Sequence, residues 1–173
     1  EKRDALFSEF YKELKGRDAL RKELEMLFEN AYQKLAIAQA QFGKMKLSEF
    51  AEASARNSNI EIELRERNIM GALVPIIKAH GIKRNMLQRG YSLYDSGSAV
   101  DEAASLFEEA LEKLVELAEK EATLEKLALE IAKTRRKVNS LEKVTIPKME
   151  ALADYIEFRL EERERERIFM MKK

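Results

Sequence analysis

Leu111-Glu112-Lys113-Leu114-Val115-Glu116-Leu117 opens a stretch that continues through Leu124, Leu127, Ile131, Thr134, Val138 and Leu141. Its apolar residues return at alternating steps of three and four. Such a return places them on one helix face near the heptad period, the seam of a coiled coil rather than one side of a sheet. The pattern resumes at Met149, Leu152, Ile156 and Leu160. Toward the other end, Leu6, Phe10, Leu14, Leu20, Leu24, Leu27, Ala31, Leu35, Ala38 and Phe42 trace a second seam. Two arms with one shared period predict a mainly α fold in which the arms lie against each other. Four of the six Gly (Gly71, Gly81, Gly90, Gly97) and one of the two Pro (Pro75) fall between the arms, so the middle supplies the reversal and the pairing is antiparallel.

The boundaries follow. Residues 1–43 form an N-terminal coiled-coil helix, 44–97 a central region, and 98–173 a C-terminal coiled-coil helix. Ser98 followed three residues later by Asp101 reads as a capping arrangement, which starts a helix over about 98–171 on the order of 110 Å long. An elongated molecule is expected. In the central region Leu47–Arg56 reads as a short helix capped by Ser48. Ile60, Ile62 and Leu64 then alternate with Glu61, Glu63 and Arg65 in the period of a strand. A second apolar run, Ala72–Ile77, follows a turn near Asn68–Gly71, and Pro75 assigns it to a sheet edge. A small β-hairpin is predicted. Pro147 interrupts the last arm and must remove one backbone hydrogen bond, bending or loosening the helix there.

Composition excludes several classes. The 173 residues hold 32 Lys and Arg against 32 Asp and Glu, so net charge is zero and a general nucleic-acid binder is disfavoured. No apolar run approaches the length of a membrane span. The chain has no Cys and a single His, which argues against a disulfide framework or a metal site and favours an intracellular setting. It begins at Glu1 without a start methionine or signal peptide, as expected of a piece of a longer chain whose first helix lacks its cap.

No glycine-rich phosphate loop and no nucleophile beside a second His occur, so no catalytic residues and no cofactor are assigned. His80 reads as a solvent-facing or capping residue. Charge nevertheless runs in bands: net +3 over residues 70–97, −7 over 98–130 and +5 over 131–148. Bands of opposite sign along a rod suit stacked protein partners. A static coiled-coil adaptor or a prefoldin-like chaperone satisfies the periodicity equally well.

Several strings carry a more specific resemblance. Thr134-Arg135-Arg136-Lys137-Val138-Asn139-Ser140-Leu141-Glu142, Ile146-Pro147, Glu162-Arg163-Glu164-Arg165-Glu166, Phe169 and Lys172-Lys173 resemble the D subunit of V-type and A-type rotary ATPases. Lys2-Arg3-Asp4-Ala5-Leu6, Arg67-Asn68-Ile69-Met70-Gly71 with Val74-Pro75, Arg89-Gly90-Tyr91 and Asp101-Glu102-Ala103 fit the same family. The chain departs from it before Glu1, where family members carry an extra segment, and at Phe169-Met170-Met171-Lys172.

The resemblance implies a left-handed antiparallel two-helix coiled coil with a smaller middle region, serving as a non-catalytic rotor shaft. Torque would pass between a hexamer of A and B subunits and the membrane ring. A small F subunit and a socket subunit, called C in the A-type and d in the eukaryotic form, would hold the lower part. That places the chain on the cytoplasmic side of the membrane, peripheral and without insertion. Partner contacts are then expected at Arg135, Arg136, Lys137, Asn139 and Lys143 toward the A and B rim, and at Lys83, Arg84 and Arg89 toward an acidic socket. Arg163 and Arg165 are further candidates, although opposite charges at three- and four-residue spacing also simply support an exposed helix.

Overall fold

The structure is a computed structural model that describes residues 2–91 and 97–172. Asp95, counted in the charge of the middle band, and Lys173 lie outside the described residues, as does the capping expectation at Glu1. Helix dominates. The order is α1 (Lys2–Arg56), β1 (Glu61–Ile69), β2 (Ala72–His80), a 3-10 turn (Met86–Gln88), α2 (Ser98–Ser140), a π-helical turn (Leu141–Thr145) and α3 (Ile146–Met171). The chain divides into two compact units, one ending at Ala128 and the next beginning at Leu129.

In the first unit α1 lies antiparallel to the first part of α2. Lys34 pairs with Glu102, Glu23 with Lys113 at 2.8 Å, and Glu13 with Lys120 at 3.2 Å, so one number falls as the other rises. The seam read from the sequence is the side that packs: Leu6, Leu20, Leu24, Ala31 and Ala38 of α1 are buried, as are Leu124 and Leu127 of α2. Small residues at Ala31 and Ala38 let the backbones approach, and Phe107 fills the wider space against Phe28 and Tyr32.

Gly43 breaks α1 with φ 77° and ψ 161°, a conformation essentially closed to residues with a Cβ. Helix resumes directly after it, so Ser48 stands inside a helical turn and does not cap a helix starting at Leu47. The resumed segment brings Phe50 back onto Ala38, Ala99 and Val100, with Phe42, Leu47 and Tyr91 around them. Phe50 meets Phe42 edge-on at 6.1 Å and Tyr91 at 5.5 Å.

The hairpin is longer than the alternating residues alone suggested, nine residues in each strand. Its antiparallel register pairs Ile69 with Ala72 and Glu61 with His80. Met70 (φ 52°) and Gly71 (φ 95°) form the two-residue connection, both at positive φ as a type I′ turn requires. Asn68 Oδ1 accepts the Gly71 N–H at 2.7 Å. Pro75 stands opposite Glu66, three positions from the pair that closes the turn. At that parity its missing N–H would have pointed away from β1, and the ladder loses nothing.

The long last arm is not one α-helix. Over Leu141–Thr145 the backbone widens, and the Ile146 N–H donates to the Leu141 carbonyl five residues back. Pro147 follows at once. A ring at this position collides with the carbonyl four residues earlier in an α-helix, and the wider turn relieves that collision. In this second unit every described residue from Asn139 onward is exposed.

Candidate partner interfaces

The basic residues of the middle do not form one open patch. Arg89, from the loop after the 3-10 turn, is 4% exposed and reaches into the side of α2. Its Nε donates to Glu108 Oε1 at 3.2 Å and its Nη2 to Glu108 Oε2 at 3.0 Å, a bidentate clasp. Its Nη1 donates to the Asp101 carbonyl at 3.1 Å, and the Tyr91 hydroxyl to Asp101 Oδ1 at 2.7 Å. Burial opposes the charge of Arg89, yet hydrogen bonds to Glu108 and Tyr91 and the field of Glu108 hold its pKa above the ordinary value. Burial, and then the hydrogen bond to Asp101, push the Tyr91 hydroxyl up to about 12.

Arg84 joins the same cluster. Its backbone N–H donates to Glu108 Oε2 at 3.3 Å, and its Nη1 donates to the Ser54 carbonyl at 2.8 Å, tying the loop to the end of α1. Of the three basic residues expected to face a socket, Lys83 alone leaves its side chain mostly in solvent. It pairs with Glu112 at 2.6 Å, and that hydrogen bond, with the carboxylate's charge, raises its pKa. Arg84 and Arg89 instead fasten the loop that presents Lys83.

Sequence reasoning missed the acidic half of this cluster. Asp101, read as part of a helix cap, turns its carboxylate to Arg89 and Tyr91, while the Gly97 carbonyl receives the first helical N–H groups from Val100 and Asp101. Asp101 and Glu108 are seven residues apart, two turns, hence on one face of α2. That spacing, beside an Arg-Gly-Tyr string, is the one sequence signal that could have found them. Behind the cluster lies a cavity of about 410 Å³ lined by Leu35, Ala38, Phe50, Ile82, Phe107 and Leu111, whose charged wall groups Arg84 and Glu108 are paired with each other at 3.4 Å.

In the second unit Arg135, Arg136, Lys137 and Asn139 are all exposed on α2, and Lys143 is exposed in the π turn. At 100° per residue, Arg135, Arg136 and Asn139 fall within an arc of about 100°, with Val138 and Leu141 outside it and Lys137 on the far side of those two. Two arginines and an amide therefore present one polar face. Arg163 and Arg165 are exposed on α3, where Arg165 pairs with Glu161 at 3.1 Å. The same helix exposes Met149, Leu152, Ile156 and Leu160, each half or more accessible. An exposed apolar row of this length is the kind of surface that partners bury.

The match to known proteins spans the chain. The family model for the ATP synthase D subunit matches residues 1–173. The D subunit of the A-type ATP synthase of Thermococcus sibiricus is 43% identical over 173 residues, covering 100% of this chain and 80% of that protein. That of Pyrococcus furiosus gives the same identity and coverage. The protein of the same name from Methanosarcina acetivorans is 39% identical over 172 residues, 99% of this chain and 81% of the relative.

Proposed function

The chain belongs to the ATP synthase D-subunit family, and from that premise we infer that it is the central stalk of a rotary ATPase, a shaft that carries torque without a catalytic site of its own. The full-length similarity to the D subunits of A-type ATP synthases carries this reading. The physical design supports it. A shaft under torque must resist unwinding, and the paired seam of α1 and α2 supplies that: each buried Leu contributes roughly 1.5 to 3 kcal/mol. Cross-helix pairs such as Glu23 with Lys113 add register rather than much energy, since exposed ion pairs contribute about 0 to 1 kcal/mol.

The partners proposed are the A and B subunits of the catalytic hexamer, a small F subunit and a socket subunit of the C/d type. The complex would stand on the cytoplasmic face of the membrane; no described helix is long and apolar enough to cross one. Arg135, Arg136 and Asn139 are proposed to touch the rim of the A and B subunits with Lys143 beside them, and Lys137 to meet a partner from the opposite face of the helix. Weak, partly solvated pairs suit a contact that must let go as the shaft turns. Lys83, presented by the Arg84 and Arg89 anchors, is proposed to face the socket. Arg163 would continue the apolar row of α3 and Arg165 face a partner from the opposite side of the helix.

Arg135→Ala with Arg136→Ala tests the rim assignment in the native complex. The expected outcome is unchanged helicity and hexamer retention with reduced coupling between nucleotide turnover and ion transport. Unchanged coupling would move the contact elsewhere. A static adaptor would fail to co-purify the hexamer and an F-like subunit at all, which tests the stalk reading separately.

A further inference from the structure

β1 is the open edge of a two-stranded sheet, and every residue from Glu61 to Asn68 is exposed. Counting from the Ile69–Ala72 pair beside the turn, Ile62, Leu64, Glu66 and Asn68 direct their backbone N–H and C=O groups away from β2. An edge with such a row of unpaired groups is a template for another strand. Charged side chains normally guard such edges by repelling a second copy. Here their order does the opposite.

One face of β1 reads Glu61, Glu63, Arg65, Arg67, two acids and then two bases. Run antiparallel to itself, this order is self-complementary. With Leu64 opposite its own copy, Glu61 faces Arg67 of the second copy and Glu63 faces its Arg65, and the two-fold axis repeats both pairs. The hydrogen-bonding parity allows neighbouring registers, but each makes fewer opposite-charge pairs than this one and adds at least one like-charge pair. Centring on Glu63 or Arg65 sets like charges face to face; centring on Ile62 or Glu66 sets Glu61 against Glu63 or Arg65 against Arg67. The favoured register also brings together the Leu64 side chains, 69% exposed in the single chain, on the face that carries Ile62.

We propose that two copies of this chain associate through β1, antiparallel and centred on Leu64, to form a four-stranded sheet in the order β2-β1-β1-β2. The proposal stands apart from the stalk reading and describes the chain outside its assembly. Cross-strand pairs of opposite charge stabilise a sheet and like charges directly opposite destabilise it, so charge selects the register while backbone hydrogen bonds hold it.

Sedimentation equilibrium of the whole chain over micromolar to several hundred micromolar concentration provides the test. The expected mass rises from 20.1 kDa toward twice that value. A basic variant, Glu61→Arg with Glu63→Arg, and an acidic variant, Arg65→Glu with Arg67→Glu, should each raise the dimer Kd about ten-fold or more, and an equal mixture of the two should restore association. Leu64→Pro removes an N–H that points away from β2, so the hairpin keeps its ladder while the dimer is lost. A chain that stays at 20.1 kDa throughout overturns the proposal. So does a dimer that persists in both charge variants, or a mixture of them that fails to associate.

Discussion

The backbone N–H of Ile77 in β2 donates to Glu119 Oε2 on α2 at 2.8 Å, fastening the hairpin to the flank of the paired helices. Ile77 shares the parity of Pro75, so its N–H points away from β1 and would otherwise lie on an open edge. A missing donor at Pro75 and a carboxylate over Ile77 close the outer side of β2. No comparable device covers β1 among the described residues, and the two edges of one small sheet are thereby made unequal.

Replacing Glu119 with Ala removes a charged acceptor from a partly buried N–H, at a cost of about 1.5 to 3 kcal/mol where it acts. The effect should be local: faster amide exchange at Ile77 and its strand neighbours, with helicity unchanged. Glu119→Gln retains an acceptor oxygen and should recover most of the protection. Equal exchange in all three proteins would mean that the hairpin is held by the packing of Val74 and Ala72 instead.

Arg89 lies between two carboxylates, each about one-tenth exposed or less, so Arg89→Ala leaves Glu108 and Asp101 without their shared cation. Breaking a buried pair by removing one partner costs about 3 to 5 kcal/mol. The denaturation midpoint should fall accordingly, with exchange rising first in the loop from Ile82 to Tyr91. Loss of socket binding alone, with stability intact, would show that Arg89 serves the partner rather than the fold.

Tyr91 gives the fold an alkaline limit. Its pKa is raised to about 12 from an ordinary value of 10.0 by burial and then by the hydrogen bond to Asp101, so the native state favours the protonated phenol. A raised folded-state pKa contributes stability that is complete below the unfolded value and lost as pH climbs through the folded one. The loss therefore falls between pH 10.0 and about 12. Tyr91→Phe should flatten stability relative to the parent across that window, and ultraviolet titration should lose a phenol that ionises near pH 12.

Much of this architecture was legible in period alone. The three-four recurrence in Leu20, Leu24, Leu27 and Ala31 identified the buried face of α1 because a helix stripe needs no knowledge of its partner. Gly71 located the turn because an I′ turn demands positive φ, and Asn68 because its side chain can accept the Gly71 N–H, although the sequence offered Met70 for the other turn position, where a side chain is unfavourable. Arg89 was not legible as an interior residue. Exposed and buried arginines look alike until the carboxylates across from them are known, and Asp101 and Glu108 reach it only through the folding of the loop. The π turn was present as an arithmetic irregularity: Leu141 and Met149 stand eight residues apart, one more than a heptad.

Gly43→Ala is a test of backbone conformation alone, since a Cβ built there meets nothing within 4 Å. The penalty arises from φ 77° with ψ 161° and should be of order 1 to 3 kcal/mol. Its expected structural result is a straighter α1, with Phe50 withdrawn from Ala38 and Val100 and a weaker Phe42–Phe50 contact. Tyrosine emission from Tyr91, which packs on Phe50, reports the change. A variant with unaltered stability and spectrum would show that the break at Gly43 is soft.

Pro147 and the π turn before it set the rotational phase of the last arm. Up to Leu141 the seam advances by threes and fours; the next apolar residue on that face is Ile146, a step of five, the span of the hydrogen bond from the Ile146 N–H to the Leu141 carbonyl. The turn thus absorbs one surplus residue, so that Ile146, Met149, Ile156 and Leu160 continue the face of Val138 and Leu141. Pro147→Ala restores a donor and removes the ring that opposes an α-helical turn, a change of up to about 3 kcal/mol in favour of regular helix. Residues 141–147 should then wind as α-helix, and everything beyond should rotate by about 100° relative to Arg135 and Arg136. Greater amide protection over that segment, with weaker binding to the proposed A and B partners, is the expected pair of results. Deleting Val144 in the Pro147→Ala background shortens the five-residue step to four. Binding should return, because the apolar row and the basic face are again in phase along a continuous helix. If Pro147→Ala binds as well as the parent while its helix has rewound, rotational phase is irrelevant to assembly, and the π turn serves only to accommodate the proline.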